Sequence, residues 1–325
     1  EAAQNPNVSY RYSFDSTNFP SIPGSPIAYW ASDDLLRLFT SGETINDYFI
    51  PKFGMSVGRG DKYIRNWFEV ELQRICFDAK SEADFLEANA VWNVMDKGGP
   101  YRRWYGNAIS VVKWENNGLE IRNDSRSAVR SPHLFFKPHI SWTLVTSGSF
   151  SARLFAHGFI LDTASNCIYF KDDMVNYYVL GLLNTMVANH VLNILNPTLN
   201  YSCGVIGLVP YIQDSLMKDE ITHIVLGAVA LSRRDWDSFE TSWDFQRHPL
   251  LVHKNGSSVE QTFKRWDAFA EEQFQKLKAN EEELNRIFIE IYGLEDELTP
   301  EVEDADVTIR RADRERDVRS FISYA

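Results

Sequence analysis

Lys137-Pro-His-Ile-Ser-Trp-Thr-Leu-Val-Thr-Ser-Gly-Ser-Phe-Ser-Ala-Arg153 is the stretch on which the reading of this chain turns. Ile140, Trp142, Leu144 and Phe150 fall on alternate positions, the period of a half-buried strand. Ser141, Thr143, Thr146, Ser147 and Ser149 set hydroxyls beside Lys137, His139 and Arg153. A strand of this kind offers donors and acceptors able to reach phosphates or base edges. Downstream, Leu180, Leu183, Val187, Val191 and Ile194 trace one helix face, which predicts a core helix over 174–195 started by Asp172-Asp173 and followed by Asn196-Pro197-Thr198-Leu199-Asn200.

Composition fixes the class. The 325 residues, 44% hydrophobic and 24% charged, suffice for a large soluble core. Cys76, Cys167 and Cys203 are widely separated, which indicates neither a disulfide framework nor a metal site and fits a reducing cytoplasm. The apolar run near Tyr177 to Leu195 is interrupted by Asn184, Asn189, His190 and Asn193, so it reads as a core helix and no membrane partner is expected. The chain starts without methionine and stops inside an apolar helical pattern, so it is expected to be a segment of a longer protein.

A net charge of -12 argues against nucleic acid, but its distribution does not. Residues 97–153 hold nine Lys and Arg against three Asp and Glu, whereas residues 211–325 hold 15 against 25. A basic island in an acidic chain is the pattern of a localised anion-binding face. Within it, Lys97-Gly-Gly-Pro-Tyr-Arg102-Arg103-Trp-Tyr-Gly-Asn107 places cations and aromatics on a loop. Lys97, Arg102 and Arg103 could neutralise phosphates or enter a groove; the competing reading is a structural turn with arginines packed on rings. Upstream, Gly54, Gly58 and Gly60 could bring backbone to a phosphate held by Arg59, Lys62 and Arg65, although the spacing matches no nucleotide loop and a glycine hairpin is the other reading.

The remaining elements follow from periodicity. Ser32 caps a short helix carrying Leu35, Leu36 and Leu38; Phe155 to Phe170 reads as a hairpin; Gly204 to Ile212 reads as a strand closed by Pro210. Ser257-Ser258-Val259-Glu260 fits a capping box opening a long helix with Phe263, Trp266, Ala270, Phe274, Leu277, Leu284, Ile287, Phe288 and Ile291 on one face until Gly293, and Thr299-Pro300-Glu301 suggests another start. The expected fold is α+β, a mixed β-rich recognition domain with a helical C-terminal part. The expected units are 1–96 (lead-in and N-terminal part of the recognition region), 97–212 (DNA target-recognition core) and 213–325 (acidic, mainly helical C-terminal part). His157, His190, His223, His248 and His253 show neither nucleophile-base nor metal spacing, so no catalytic residue is assigned.

Residues 137–211, with their Trp/Ser/Thr strand, Leu182-Leu183-Asn184, Asn-Pro-Thr-Leu-Asn and Pro210, resemble the target-recognition domain of type I restriction specificity subunits. The wider chain more closely resembles the C-terminal part of the PglX-like adenine-specific DNA methyltransferases of BREX phage-defence systems. The residues behind this are 19–30 (Phe-Pro-Ser-Ile-Pro-Gly-Ser-Pro-Ile-Ala-Tyr-Trp), Arg65-Asn-Trp-Phe-Glu-Val70, Arg103-Trp-Tyr-Gly-Asn107, Asp235-Trp-Asp-Ser-Phe-Glu-Thr-Ser-Trp-Asp-Phe245 and Tyr292-Gly-Leu-Glu-Asp-Glu-Leu298. The resemblance implies sequence-specific recognition of double-stranded DNA for an N6-adenine methyltransferase. It also implies S-adenosylmethionine in the full-length enzyme and a methylating domain upstream. The chain contains no Pro-Pro and hence no Asn/Asp-Pro-Pro-Tyr/Phe motif, so it is expected to carry no cofactor and to be inactive alone. The DNA-contacting residues expected are Arg59, Lys62, Arg65, Lys97, Arg102, Arg103, Lys137, His139, Ser141, Ser147, Ser149 and Arg153. The alternative from another class is a protein-interaction module whose acidic helical half docks a defence partner or a phage inhibitor.

Overall fold

The computed structural model describes residues 22–24, 31–40, 42–146, 148–172, 174–196, 198–255 and 258–325, and shows a mixed α+β fold. The first sheet is antiparallel and joins β1 (Phe49–Phe53), β9 (Ser165–Phe170), β6 (His139–Thr143) and β7 (Ala152–Phe155) in that order. The second joins β2 (Ile64–Asn66), β5 (Ser110–Lys113), β4 (Trp92–Asp96) and β3 (Ile75–Cys76), with β8 (Ile160–Leu161) running parallel to the far end of β4. Between and after the strands come α1 (Asp33–Thr40), α2 (Ile45–Tyr48), α3 (Gly60–Tyr63), α4 (Glu82–Glu87), α5 (Glu115–Asn123), α6 (Tyr177–Leu183), α7 (Met186–Leu195) and α8 (Cys203–Gly207). The acidic part supplies α9 (Lys218–Trp236), α10 (Pro249–Val252), α11 (Val259–Tyr292) and α12 (Arg314–Tyr324).

Strand pairing crosses residue 96 in both sheets, since β1 pairs with β9 and β4 with β5. One apolar cluster likewise runs across residue 212, from Ile140 and Trp142 through Leu180 and Val191 to Val225, Leu277 and Phe288. The helical half therefore shares its core with the first sheet. No single helix among the described residues is long and apolar enough to cross a membrane.

Several periodicities are realised differently from expectation. The apolar run of 174–195 is two helices bent by 65°, because Asn184 leaves the helix to serve the sheet. Its Oδ1 accepts from Ala152 N at 2.9 Å and its Nδ2 donates to Ala152 O at 3.0 Å, while Thr185 caps α7 by accepting from Ala188 N at 3.4 Å. The cap of α6 is Asn176, not the Asp172-Asp173 pair, and Asp173 lies outside the described residues. Residues 155–170 form no hairpin: β8 and β9 enter different sheets. Gly204 to Ile212 is not a strand: α8 runs to Gly207, and the segment then turns to an isolated bridge of Pro210 with Thr44. α11 begins as expected but with Ser258 as its cap, accepting from Gln261 N at 3.1 Å, and ends at Gly293 with φ of 66°. Residues 298–313 run as turns and extended chain, without the helix suggested at Thr299.

Replacing Asn184 with Ala leaves the buried Ala152 amide unpaired and should cost about 1–3 kcal/mol, read as a lower urea midpoint at unchanged m-value.

Candidate nucleic-acid interface

The loop of residues 97–107 is a structural brace, which corrects the placement expected of its arginines. Trp104 bridges Arg153 in parallel at the free edge of β7, with Trp104 N donating to Ala152 O and Leu154 N donating to Trp104 O, each at 2.9 Å. The chain on either side is thereby held against the helical half. Arg102 pairs with Asp235 of α9 at 2.8 Å, donates to the carbonyls of Ser232, Thr308 and Tyr105, and lies 5.1 Å from the Trp236 ring centroid. Arg103 pairs with Glu281 of α11 at 2.8 Å, and the other Glu281 oxygen accepts from Trp104 Nε1 at 2.7 Å. Both arginines are 6% exposed. Burial pushes the Glu281 carboxyl upward, opposed by Arg103 and Trp104. The alternative reading, a turn with arginines packed on rings, describes this loop.

The β6 residues are also interior. β6 is flanked by β9 and β7, and His139, Ser141 and Arg153 are fully buried. They surround Asp96, whose Oδ1 accepts from Ser165 Oγ at 2.7 Å and Gly98 N at 3.1 Å and whose Oδ2 faces His139 Nε2 at 3.4 Å. His139 Nδ1 lies 3.0 Å from Lys137 O; a carbonyl only accepts, so Nδ1 carries a hydrogen. Burial raises the Asp96 carboxyl, but His139 and then Arg153 and Ser141 outweigh it and hold the group below its ordinary value. Burial pushes the Arg153 guanidinium down, with Asp96 opposing. His139, Ser141 and Arg153 thus organise the junction of the two sheets and present nothing to solvent.

Exposed cations lie elsewhere, where the 54–62 and 122–130 segments meet. Ser56 and Ala128 form a bridge with reciprocal backbone bonds, and Gly58 N donates to Ser127 Oγ at 3.0 Å. Gly54 and Gly58 permit close backbone passage: a Cβ on Gly54 would lie 2.2 Å from Leu161 O, and one on Gly58 2.3 Å from Arg126 Cβ. Asp124 is shared by Arg59 at 3.1 Å and Arg126 at 3.5 Å, and Glu120 by Lys62 at 2.8 Å and by Lys113. Hydrogen bonds from Lys113 and Lys62 pull the Glu120 carboxyl down to about 2. Asp124 thus meets two cations, while Lys113 is shared between Glu120 and Glu115, the latter at 3.8 Å. Arg122 and Arg130 are exposed over the rings of Trp114 and Phe53 at 5.4 and 5.3 Å from the centroids.

Of the other expected residues, Arg65 is half-buried and donates to the carbonyls of Asp61 and Ile64; Lys137 is half-buried; Lys97 and Ser149 are exposed; Ser147 lies outside the described residues. Lys97 follows the end of β4 and lies near the Thr143 end of the first sheet, since Thr143 Oγ1 donates to Gly99 O at 2.8 Å. The structure does not gather it with Lys62, which shares Glu120 with Lys113 by the start of β4. Among the described residues no group of His, Cys, Asp and Glu is placed to hold a metal ion.

No family model matches the chain. Over 99% of its length the chain is 38% identical to the adenine-specific methyltransferase PglX of Lacticaseibacillus casei (strain Zhang), and over 87% it is 29% identical to the adenine-specific methyltransferase BrxX of Escherichia coli O9:H4 (strain HS). It spans 28% and 22% of the length of these curated relatives.

Arg103→Ala leaves Glu281 buried without its cation and should destabilise the fold by about 3–5 kcal/mol in chemical denaturation, as should Arg102→Ala through Asp235. Because the Asp96 carboxyl is depressed in the folded state, its contribution is complete above the ordinary carboxylate range and is lost as pH falls through the depressed value. Asp96→Asn should therefore lower stability at neutral pH and flatten the fall in stability below about pH 4, measured by urea titration across pH.

Proposed function

We propose that this chain is the target-recognition part of a site-specific N6-adenine DNA methyltransferase of the BREX phage-defence type. The observation that carries this reading is similarity along 99% and 87% of this chain to parts of two proteins named adenine-specific methyltransferases, in a stretch with no Pro-Pro for the adenine-holding motif. S-adenosylmethionine and the methyl transfer belong to another part of the longer protein. This part contributes the reading of the duplex, so that one adenine of a defined site is delivered out of the stack.

The exposed cations of the 54–62 and 122–130 segments are the surface suited to that task. Arg122, Arg126 and Arg130 lie there with Arg59 and Lys62, where Ser56 bridges Ala128. Cations of this kind give affinity and register by displacing counterions from phosphates, whereas sequence is read by neighbouring groups at base edges. Ser149 and Lys137 remain candidates for such a role.

A second reading draws on a specific feature of the acidic half. A groove of about 940 Å³ between the start of α11 and α12 is lined by Val259, Phe263 and Val318 with Lys264, Arg314 and Glu315 on its rim. That groove suits a protein partner better than DNA. Selection of bound sequences from random duplexes separates the readings: an enriched short motif supports recognition, and no binding favours the interaction module.

Arg126→Ala with Arg130→Ala should weaken duplex binding and reduce the slope of log K against log salt by roughly 0.9 for each phosphate left unneutralised, with little change in thermal stability. An unchanged slope removes this loop pair from the interface.

A further inference from the structure

The segment that leads into α9 is pinned by two buried tyrosines. Tyr178 Oη donates to Ile212 O at 2.9 Å and accepts from Asp214 N at 3.1 Å, while Tyr292 Oη donates to Pro210 O at 2.9 Å and accepts from Ile212 N at 3.2 Å. Asp214 Oδ1 then closes a turn by accepting from Leu216 N at 2.7 Å and Met217 N at 3.1 Å. On this support Leu216 is 91% exposed. It lines a groove of about 520 Å³ together with Met217, Ile287 and Ile291, and Asp214 and Glu290 line the same groove. Ile287, Glu290 and Ile291 stand at i, i+3 and i+4 on α11 and so share one face of it. An ordered leucine held in water at the wall of an apolar groove favours a surface that covers both.

The charge of the groove identifies that surface. Among the described residues its charged lining is Asp214 and Glu290, both acidic. The last turn of α11 carries no basic residue to offset the negative end of this 34-residue helix. Arg286, one turn back, is engaged by Glu283 and Glu290 at 2.5 and 3.5 Å, and the exposed Lys218 is followed directly by Asp219 and Glu220. Such a place repels a phosphate backbone and attracts a cation carried on an apolar segment. We propose that this groove docks a short segment of a partner protein in which Leu, Ile or Met stands beside Lys or Arg. The apolar side chain would cover Leu216 and Ile291 while the cation meets Asp214 and Glu290. The site lies at the other end of α11 from the groove against α12, and it does not rest on the DNA-recognition reading.

The test selects binders of the full chain from a displayed pool of short random peptides and measures the enriched ones over a range of salt concentrations. The expected result is a family that pairs Leu, Ile or Met with Lys or Arg and binds more weakly as salt rises. Leu216→Ala should lower the affinity for such a peptide by about tenfold, and Glu290→Lys by a similar factor, whereas Leu216→Met should keep most of it. The melting temperature should stay the same in all three variants, because both side chains are exposed. The proposal is overturned if no peptide is enriched, if the enriched family lacks a cation, or if its binding ignores either Leu216→Ala or Glu290→Lys. Self-association of the chain in sedimentation that disappears in Leu216→Ala also overturns it, because a second copy would then be the occupant.

Discussion

The Glu281 carboxylate, held inside α11 between Arg103 and Trp104, sets how the two halves of the molecule can be arranged. A carboxylate removed from water is tolerated only when both oxygens are engaged, and here they are engaged by neighbouring residues of one loop. That loop also extends the edge of β7, so the sheet and the longest helix are fixed to each other through adjacent residues of one backbone segment. Arg102 with Asp235 repeats the arrangement against α9. Buried pairs of this kind add less to net stability than apolar packing does. Their contribution is to specify one docking geometry, since any other leaves a charge stranded.

The same pairs explain the charge pattern of the chain. The basic island is partly the internal complement of the acidic helices, so its charge density overstates the positive face available to a ligand. What reaches solvent is a smaller set of cations, Lys97 and those on the 54–62 and 122–130 segments, where Asp124 meets Arg59 and Arg126, and Glu120 meets Lys62 and Lys113. Those acids hold the guanidinium and ammonium groups in place, which lowers the ordering cost of meeting phosphates.

The sequence made the elements legible where local physics sets them: the strand around Trp142, the Ser32 cap, and the long helix from Val259 to Gly293. It did not show which face a side chain takes once two sheets and a helical layer enclose it. Ser141 alternates as an outward strand residue should, yet β6 is covered on both faces and its hydroxyl is interior. A signal for the braces was present. Glu281 falls on the apolar stripe of Trp266, Ala270, Phe274, Leu277, Leu284 and Phe288, and Asp235 on the buried stripe of Ile221, Val225, Ala228 and Ser232. An acid on the inner face of an amphipathic helix asks for a buried cation, and Arg102 and Arg103 beside three aromatics were the available donors. The break at Asn184 and the bridge of Ser56 with Ala128 depend on partners distant in sequence, and no periodicity reports them.

On the proposed reading, Arg102 and Arg103 hold the molecule together and a duplex would meet the 54–62 and 122–130 loops. Hydrogen–deuterium exchange of the chain with and without saturating duplex DNA distinguishes the two roles. Added protection is expected in residues 54–62, 122–130 and 143–149, and none in 101–107 or 232–236. Protection centred on 101–107, with the 122–130 loop unchanged, would place the buried arginines in the interface after all and overturn this division of labour.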